Sequence, residues 1–343
     1  MITSRSLLIF CILIASSFSY LYGQIKLEGS LESGYYKSAG TNDILQNGFF
    51  TGIDGKAGYN YRDKQRIASI NLRARPEFYG FDNQLRTLKL KGEASYIQNE
   101  ESFNWGIKLA QQKYNFISSG LDLTYNMFDL SGSLDGYVWE GSPAALNFGF
   151  AYQDIGTPNE QSLDLFFGEG KLYQSLNEFT KFGYGAYLER FIVTGNPPYF
   201  YSDPKSENKG WRYGPEFSLN YLGAGVFNLD YRFLFHNSGF THYPSIEHWI
   251  RLVAGKIISE HLSVFLLIDY YLRNFKYNDN AEKYSYLLYT AMNFDNRIYV
   301  KLGYDINDNV EVYLRSGYFK ENLYGNKLNF DGWNALIGID VSN

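Results

Sequence analysis

Apolar and aromatic side chains alternate with small, polar or charged ones along most of this chain, in segments of about ten residues. The clearest segment, 262–272, has an apolar residue or tyrosine at every even position and Asp269 at an odd one. Successive side chains of a β-strand point to opposite faces, so such a strand offers one face to lipid and the other to water. This pattern and segment length are typical of strands that cross an outer membrane.

The composition supports the same class of fold. The chain has 343 residues, of which 45% are hydrophobic and 19% aromatic, with 32 Tyr, 27 Phe and 33 Gly. Membrane barrels use aromatic side chains in girdles at both membrane interfaces, whereas an ordinary soluble core needs fewer. The mean hydropathy is −0.31, which is too polar for a bundle of membrane-spanning helices. Alternation hides the apolar half of a barrel from such an average.

Residues 1–23 are predicted to be an export signal. Arg5 precedes the apolar run Leu7 to Ala15, and Gly23 offers a small residue at the expected cleavage point before Gln24. The apolar run is shorter than the ~20 residues that a membrane-spanning helix needs, so we favour a cleaved signal over an anchor.

The cysteine content limits the chemistry of the mature protein. Cys11 is the only cysteine, and its flanking residues lack the small side chains expected before a lipid-modified cysteine. If it leaves with the signal, residues 24–343 can form neither disulfides nor thiolate metal sites. These residues contain no internal repeat or linker and are predicted to form a single domain.

The number of strands follows from turn signals and from topology. The apolar phase changes after Asn126 to Asp129, which predicts a turn there. If 103–125 and 284–304 are single long strands, about sixteen strands result, with the proline-rich loop 195–210 outside; splitting both gives about eighteen. We therefore expect an all-β fold, a transmembrane antiparallel up-and-down β-barrel of about 16 strands, with a range of 14 to 18.

The chain resembles the single-chain outer-membrane β-barrel proteins of diderm bacteria. The resemblance rests on the export signal, the alternating strands rich in Tyr and Phe, the short charged turns, the longer polar loops, and a strand that runs to the last residues. One departure is the ending Val341-Ser342-Asn343, where such barrels commonly have an aromatic residue. The resemblance implies a location in the outer membrane, in contact with its lipid.

A barrel of this size suggests a function in passage. About sixteen strands leave an aqueous channel unless loops or a plug fill it, and the first strand begins too close to Gln24 for an N-terminal plug. We expect a porin-like channel for passive passage of small polar solutes. Two alternatives remain: a barrel that anchors or scaffolds an envelope or secretion assembly, and an outer-membrane hydrolase.

Charged side chains of both signs are predicted to face the lumen. This mixture does not predict ion selectivity, which like charges arranged in a ring would provide. Four basic residues could form a ladder across the lumen from the acidic residues. Alternatively, each charged side chain could pair with one of opposite charge on a neighbouring strand. The four are Arg73, Arg75, Lys89 and Lys91. The pore-lining candidates are Lys56, Arg73, Arg75, Lys89, Lys91, Glu93, Glu216, Asp230, Arg232, Asp269, Glu311 and Arg315.

Aromatic residues in the lumen have two interpretations. Tyr313, Tyr271 and Phe265 are inward candidates that could stack on sugar rings. Aromatic rings in barrels more often pack within the wall or form girdles.

No cofactor, metal or catalytic group is predicted. His236, His242 and His248 with Glu247 could bind Zn²⁺, but their spacing is irregular and we expect them to be solvated residues of one loop. Ser238, His236 and Asp230 are close in sequence, yet they lack the strained elbow of a nucleophile.

Partners follow from charge and from small residues. The net charge of −5 gives no basic footprint for nucleic acid. Gly55, Ala57, Gly92 and Ala94 would place small residues on the outer face, a weak indication of a homo-oligomer.

Overall fold

The fold is a closed antiparallel β-barrel of sixteen strands. The computed structural model describes residues 23–38, 47–80, 85–118, 121–139, 142–155, 161–194, 209–238, 245–275, 295–323 and 328–343. Each strand pairs with its neighbours in sequence, and β1 pairs with β16 to close the cylinder. The predicted fold class and strand number are thereby confirmed.

The strands are 13 to 19 residues long. Their bounds are β1 Gly23–Ser38, β2 Gly48–Arg62, β3 Arg66–Tyr79, β4 Leu85–Asn99, β5 Phe103–Ser118, β6 Leu121–Trp139, β7 Ser142–Ile155, β8 Gln161–Ser175, β9 Thr180–Thr194, β10 Lys209–Leu222, β11 Val226–Ser238, β12 Ser245–Ile257, β13 Leu262–Phe275, β14 Asp295–Asn307, β15 Val310–Leu323 and β16 Leu328–Ser342. Within these ranges, no helix is long and apolar enough to cross a membrane.

The alternation in sequence separates the two faces of the wall. On β14, Ile298, Val300 and Leu302 are exposed on the outer face. Lys301, between the last two, points inward and forms ion pairs with Glu311 and with Asp340. The period of two residues therefore places apolar side chains outside and charged ones inside.

One rim of the barrel is formed by short turns. Each even-numbered strand from β2 to β14 leads to the next strand there, and the start of β1 and the end of β16 lie at the same rim. We call it the short-turn rim. In the turn 63–65, the Asp63 carboxylate accepts hydrogen bonds from the backbone N–H groups of Gln65 and Arg66. These hydrogen bonds lower the pKa of Asp63 below its usual value, and the bond from Gln65 contributes most.

The division of the segment 103–125 was predicted wrongly. It is not one strand, because β5 ends at Ser118 and β6 begins at Leu121. The predicted turn at 126–129 lies inside β6, where Met127 and Asp129 are buried and face inward. Odd-numbered residues face outward on β5, as Ile107 does, and inward on β6, where Tyr125 is also buried. The change of phase therefore falls between Ser118 and Leu121.

Other predicted boundaries fall partly outside the described residues. Residues 195–208 of the proline-rich segment and residues 1–22 of the predicted signal are among them. So is 284–294, the first part of the predicted strand 284–304. The described part of that strand, β14, ends at Asn307, three residues beyond the predicted end.

Candidate functional site: the charged lumen

The twelve predicted pore-lining residues all occupy inward positions of their strands. Most of them form ion pairs there; Asp269 accepts a hydrogen bond from Trp249 and Asp230 shares the face of Arg232. The alternation therefore assigned their face of the wall correctly. Their role in lining a pore stays a prediction.

Glu32 joins three strands on one side of the lumen. Its carboxylate accepts hydrogen bonds from Tyr313 Oη at 2.6 Å, Arg315 Nη2 at 2.8 Å and Arg75 Nη2 at 3.1 Å. Arg75 also donates from Nε to Glu77 Oε1 at 2.7 Å. Both carboxylates and Arg75 are buried, so several charge-assisted bonds compensate for the loss of water.

Farther along the wall from β1 to β5, three carboxylates are shared by five cations. Glu28 lies 2.7 Å from Lys26 Nζ and 2.7 Å from Lys56 Nζ. Asp54 accepts from Arg73 Nε at 2.8 Å, and Glu93 Oε2 lies 3.1 Å from both Lys91 Nζ and Lys108 Nζ. The carboxylates thus bridge neighbouring strands.

A second buried cluster centres on Arg212 of β10. Its Nε donates to Glu247 Oε2 at 2.7 Å and its Nη1 to Glu189 Oε1 at 3.2 Å. His236 Nδ1 lies 2.9 Å from Glu247 Oε1, and Tyr187 Oη donates to Glu189 Oε2 at 2.6 Å. Arg212, His236 and both carboxylates are almost fully buried, so this cluster belongs to the wall rather than to open water.

Arg232 of β11 connects this wall to the open lumen. It forms ion pairs with Glu169 and with Glu216, and its guanidinium carbon lies 4.4 Å from the ring centre of Tyr187 and 4.9 Å from that of Trp249. Cation–π contacts of this kind hold a guanidinium in place beside an aromatic ring.

Two cavities of several hundred Å³ are lined by described residues of the lumen. One of about 520 Å³ lies between the walls of β4–β7 and β8–β12. The other, of about 410 Å³, lies against β1–β3 and β14–β16 towards the short-turn rim. Both are bordered by charged side chains, as expected for space that holds water.

The larger cavity has two unlike walls. From β5–β7 it is lined by Gly106, by the short uncharged side chains of Ser131, Ser133 and Asn147, and by Lys108. The opposite wall contributes the large side chains of Tyr187, Arg212, Arg232 and Trp249. The cavity therefore lies between a wall of mostly short side chains and a wall of large ones.

Two of the predicted lumenal aromatics pack against glycines of the neighbouring strand. The ring of Tyr313 lies so close to Gly338 that a Cβ there would come within 2.3 Å of it, and the corresponding distance from Gly255 to Phe265 is 2.1 Å. Lys301 Nζ lies 4.1 Å from the ring centre of Tyr313. These contacts support the interpretation that the aromatic rings pack within the wall. Tyr313 is buried, so little of its ring surface is accessible to a sugar.

The predicted histidine loop is wrong. His236 belongs to β11 and Glu247 and His248 to β12, because both strands extend farther than the polar sequence indicated. His236 is buried inside, whereas His248 lies on the outer face, where its Nδ1 is 2.8 Å from Tyr231 Oη. Among the described residues, which exclude His242, no group of three His, Cys, Asp or Glu could hold a metal ion.

The hydrolase candidates are also separated. Asp230 and His236 lie six residues apart on β11, which corresponds to ~20 Å along an extended strand. The carboxylate that contacts His236 is that of Glu247. Asp230 therefore cannot orient this histidine for catalysis.

Several lumenal residues were absent from the predicted set. Glu32 and Lys108 sit at inward positions of strands that were recognised, so the alternation itself could have identified them. Glu77 follows Pro76, which interrupts the apolar pattern, and Glu247 was assigned to a loop.

Comparisons with known proteins identify the fold. No protein-family model matches the sequence, and a search of curated proteins gave no match. Among solved structures, CdiB from Escherichia coli is similar with a TM-score of 0.52 and 10% identity, over 92% of this chain and 63% of that one.

Two structures from Acinetobacter baumannii have a TM-score of 0.49 and 10% identity. The match to CdiB covers 93% of this chain and 60% of the CdiB chain, so this chain spans less than two thirds of the length of CdiB. The match to the outer membrane channel DcaP covers 94% of this chain and 97% of the DcaP chain. The sixteen-stranded closed cylinder, with apolar side chains outside and charged ones inside, has the fold of the bacterial outer-membrane β-barrels.

Proposed function

We propose that this protein is an outer-membrane channel through which small polar solutes pass by diffusion. The observation that carries the proposal is the charged lumen with its two cavities of about 520 and 410 Å³. Barrels of sixteen strands are wide enough for an aqueous passage. The exposed apolar outer face fits insertion in a bilayer.

The wall of short side chains supports a continuous path. Ser131, Ser133 and Asn147 project little into the larger cavity, and their hydroxyl and amide groups can hydrogen-bond to water and to polar solutes. The bulky residues opposite are held in place by ion pairs and ring contacts. A solute would therefore pass along the wall of short side chains.

Conductance in a planar bilayer tests the proposal. Purified protein is expected to give steady single-channel currents in 1 M KCl. A protein that inserts but stays electrically silent would favour the alternative of an anchor or scaffold.

Site-directed cysteines can locate the path within the barrel. Cys11 is the only cysteine in the sequence and lies in the predicted export signal, so an introduced cysteine is expected to be the single thiol of the exported protein. Ser133→Cys lines the larger cavity, whereas Leu134→Cys, its neighbour on β6, lies on the outer face. A charged methanethiosulfonate reagent should reduce the current of Ser133→Cys and leave that of Leu134→Cys unchanged. Equal effects on both would contradict the path.

A further inference from the structure

The cations of one lumen wall are more exposed than the carboxylates that pair with them. We call Lys26, Lys56, Arg73, Lys91 and Lys108, on β1 to β5, the basic arc. Their side chains are 41 to 56% exposed. The carboxylates of Glu28, Asp54 and Glu93 are 30, 9 and 20% exposed.

Side-chain length explains this difference. Lys and Arg carry their charge at the end of long flexible stems, which lie along the wall and extend the charged group into water. Asp and Glu are shorter and stay closer to the backbone. A lumen with equal numbers of both signs would therefore still expose more positive than negative charge.

The numbers of charges in the arc are not equal. Within the arc, five cations face three carboxylates, a difference of two positive charges. Asp54 also lies 3.6 Å from the buried Arg75, whose other partners are Glu32 and Glu77. Lys56 is the register partner of Arg73, and Arg73 is the register partner of Lys91. Three cations thus follow one another across neighbouring strands, an arrangement that costs stability unless other charges compensate.

The position of the arc links the two cavities. Lys108 and Glu93 line the cavity of about 520 Å³, and Lys26, Lys56 and Glu28 line that of about 410 Å³. A solute that crosses the lumen between them would pass along the arc.

The other charges of the described lumen do not cancel the arc. Glu189, Glu216 and Glu247 on the opposite wall are buried, whereas Arg251 there has a side chain that is 48% exposed. Asp269, midway along β13, has a side chain that is 33% exposed and lies 3.7 Å from Arg251. The exposed inward acids of the described strands are Asp135, Asp230, Asp305 and Asp340, whose side chain is 38% exposed and pairs with Lys301. Each of these four lies within four residues of the short-turn rim, as Lys26 does, whereas the other cations of the arc lie about five to eight residues from it, nearer the middle of the lumen.

We propose that the basic arc makes this lumen selective for small anions, such as carboxylates and inorganic phosphate, over cations of similar size. This inference rests on the proposed channel function and names the class of solute that the channel favours. Charges on a pore wall set the field that a passing ion experiences.

The reversal potential across a tenfold KCl gradient measures this selectivity. In 0.01 M against 0.1 M KCl, chloride is expected to permeate at least twofold better than potassium. With potassium phosphate in place of KCl, the reversal potential should keep the sign that indicates anion preference.

A triple variant tests whether the arc is the cause. Lys56→Gln, Lys91→Gln and Lys108→Gln together change the balance of the arc from two positive charges to one negative. The preference for chloride should disappear or reverse. The matched control combines Lys64→Gln in the turn 63–65 with Lys113→Gln and Lys256→Gln, which lie on the outer face. The control removes the same total charge and should keep the wild-type preference.

The outcomes separate this inference from the channel function. Absence of any current overturns both. If the wild type conducts without preferring anions, only the role of the arc is overturned. The same holds if the triple lumen variant keeps the wild-type preference for chloride. The heat-dependent mobility shift of folded barrels on gels confirms that each variant is assembled.

Discussion

Arg212 shows most directly how a single residue can depend on its partners inside the barrel wall. Its side chain is 2% exposed and its guanidinium bonds to Glu247 and Glu189. A buried charge is tolerated only when opposite charges and hydrogen bonds replace water.

Replacement of Arg212 by methionine is expected to destabilise the barrel by about 3–5 kcal/mol, because two buried carboxylates lose a shared partner. Urea unfolding in lipid vesicles, followed by tryptophan fluorescence, measures the change. Arg251→Met is the control, since its side chain is half exposed and its nearest contact with Asp269 is 3.7 Å. For that variant we expect a change of about 0–1 kcal/mol.

A compensated variant checks the cause of this loss. Arg212→Met combined with Glu189→Gln and Glu247→Gln removes all three charges and should recover part of the lost stability. If the combined variant is no more stable than Arg212→Met alone, lost packing rather than unpaired charge explains the effect.

The sequence could predict the face of Arg212 but not its contacts. Alternation along β10 places it inward, a conclusion that needs only the neighbouring residues. Glu189 and Glu247 lie 23 and 35 residues away, and their approach depends on the registers of four strands, β9 to β12. The difference in exposure between the cations of the basic arc and their carboxylates likewise cannot be predicted without the three-dimensional structure.

At the level of strands, periodicity predicted the number correctly and one division incorrectly. Only residues 119–120, Ser-Gly, separate β5 from β6 in the sequence, whereas Asn126 to Asp129 is a longer segment that contains polar residues. Asn126 lies on the outer face of β6 and Asp129 on the inner face, so polar residues on both faces suggested a loop. Strand segments that carry polar residues on both faces are hard to distinguish from turns by sequence.

Glycines opposite aromatic rings are predicted to be intolerant of larger residues. A Cβ at Gly255 would lie 2.1 Å from Phe265 Cδ1, whereas one at Gly29 would have no atom within 4 Å. Gly255→Ala should therefore lower stability by about 1–3 kcal/mol. Gly29→Ala, also in a strand, should be neutral or stabilise by up to about 1 kcal/mol. Equal effects of both variants in urea unfolding would contradict the close packing of the ring.

At the scale of the whole molecule, closure depends on the pairing of β1 with β16. Eleven residue pairs connect these strands, from Glu28 with Ser342 to Ser38 with Gly332. Loss of β16 would leave two strand edges without partners inside a bilayer, which is strongly unfavourable.

Truncation after Gly332 is accordingly expected to abolish the heat-resistant folded band on gels. Removal of Asn343 alone should preserve it, because only the bonds between Asn343 and Leu27 are lost. A truncated chain that still folds into a heat-resistant form would show that the barrel can close without β16.

The charge distribution also predicts a dependence on salt. The Debye length is about 10 Å at 0.1 M ionic strength and about 3 Å at 1 M, so concentrated salt screens the basic arc. The chloride preference should therefore be larger in a 0.01 M to 0.1 M gradient than in a 0.1 M to 1 M gradient. A preference independent of concentration would indicate selection by size.

The meeting of β1 and β16 also has a practical consequence for engineering. Leu27 and Asn343 exchange hydrogen bonds at 2.7 and 3.2 Å, so a linker of a few residues could join the beginning of the first strand to the last residue. New termini could then be opened in another tight connection of the same rim, such as 223–225 between β10 and β11. Such a circular permutant would retain every strand pair of the cylinder while changing the order in which the ribosome supplies them.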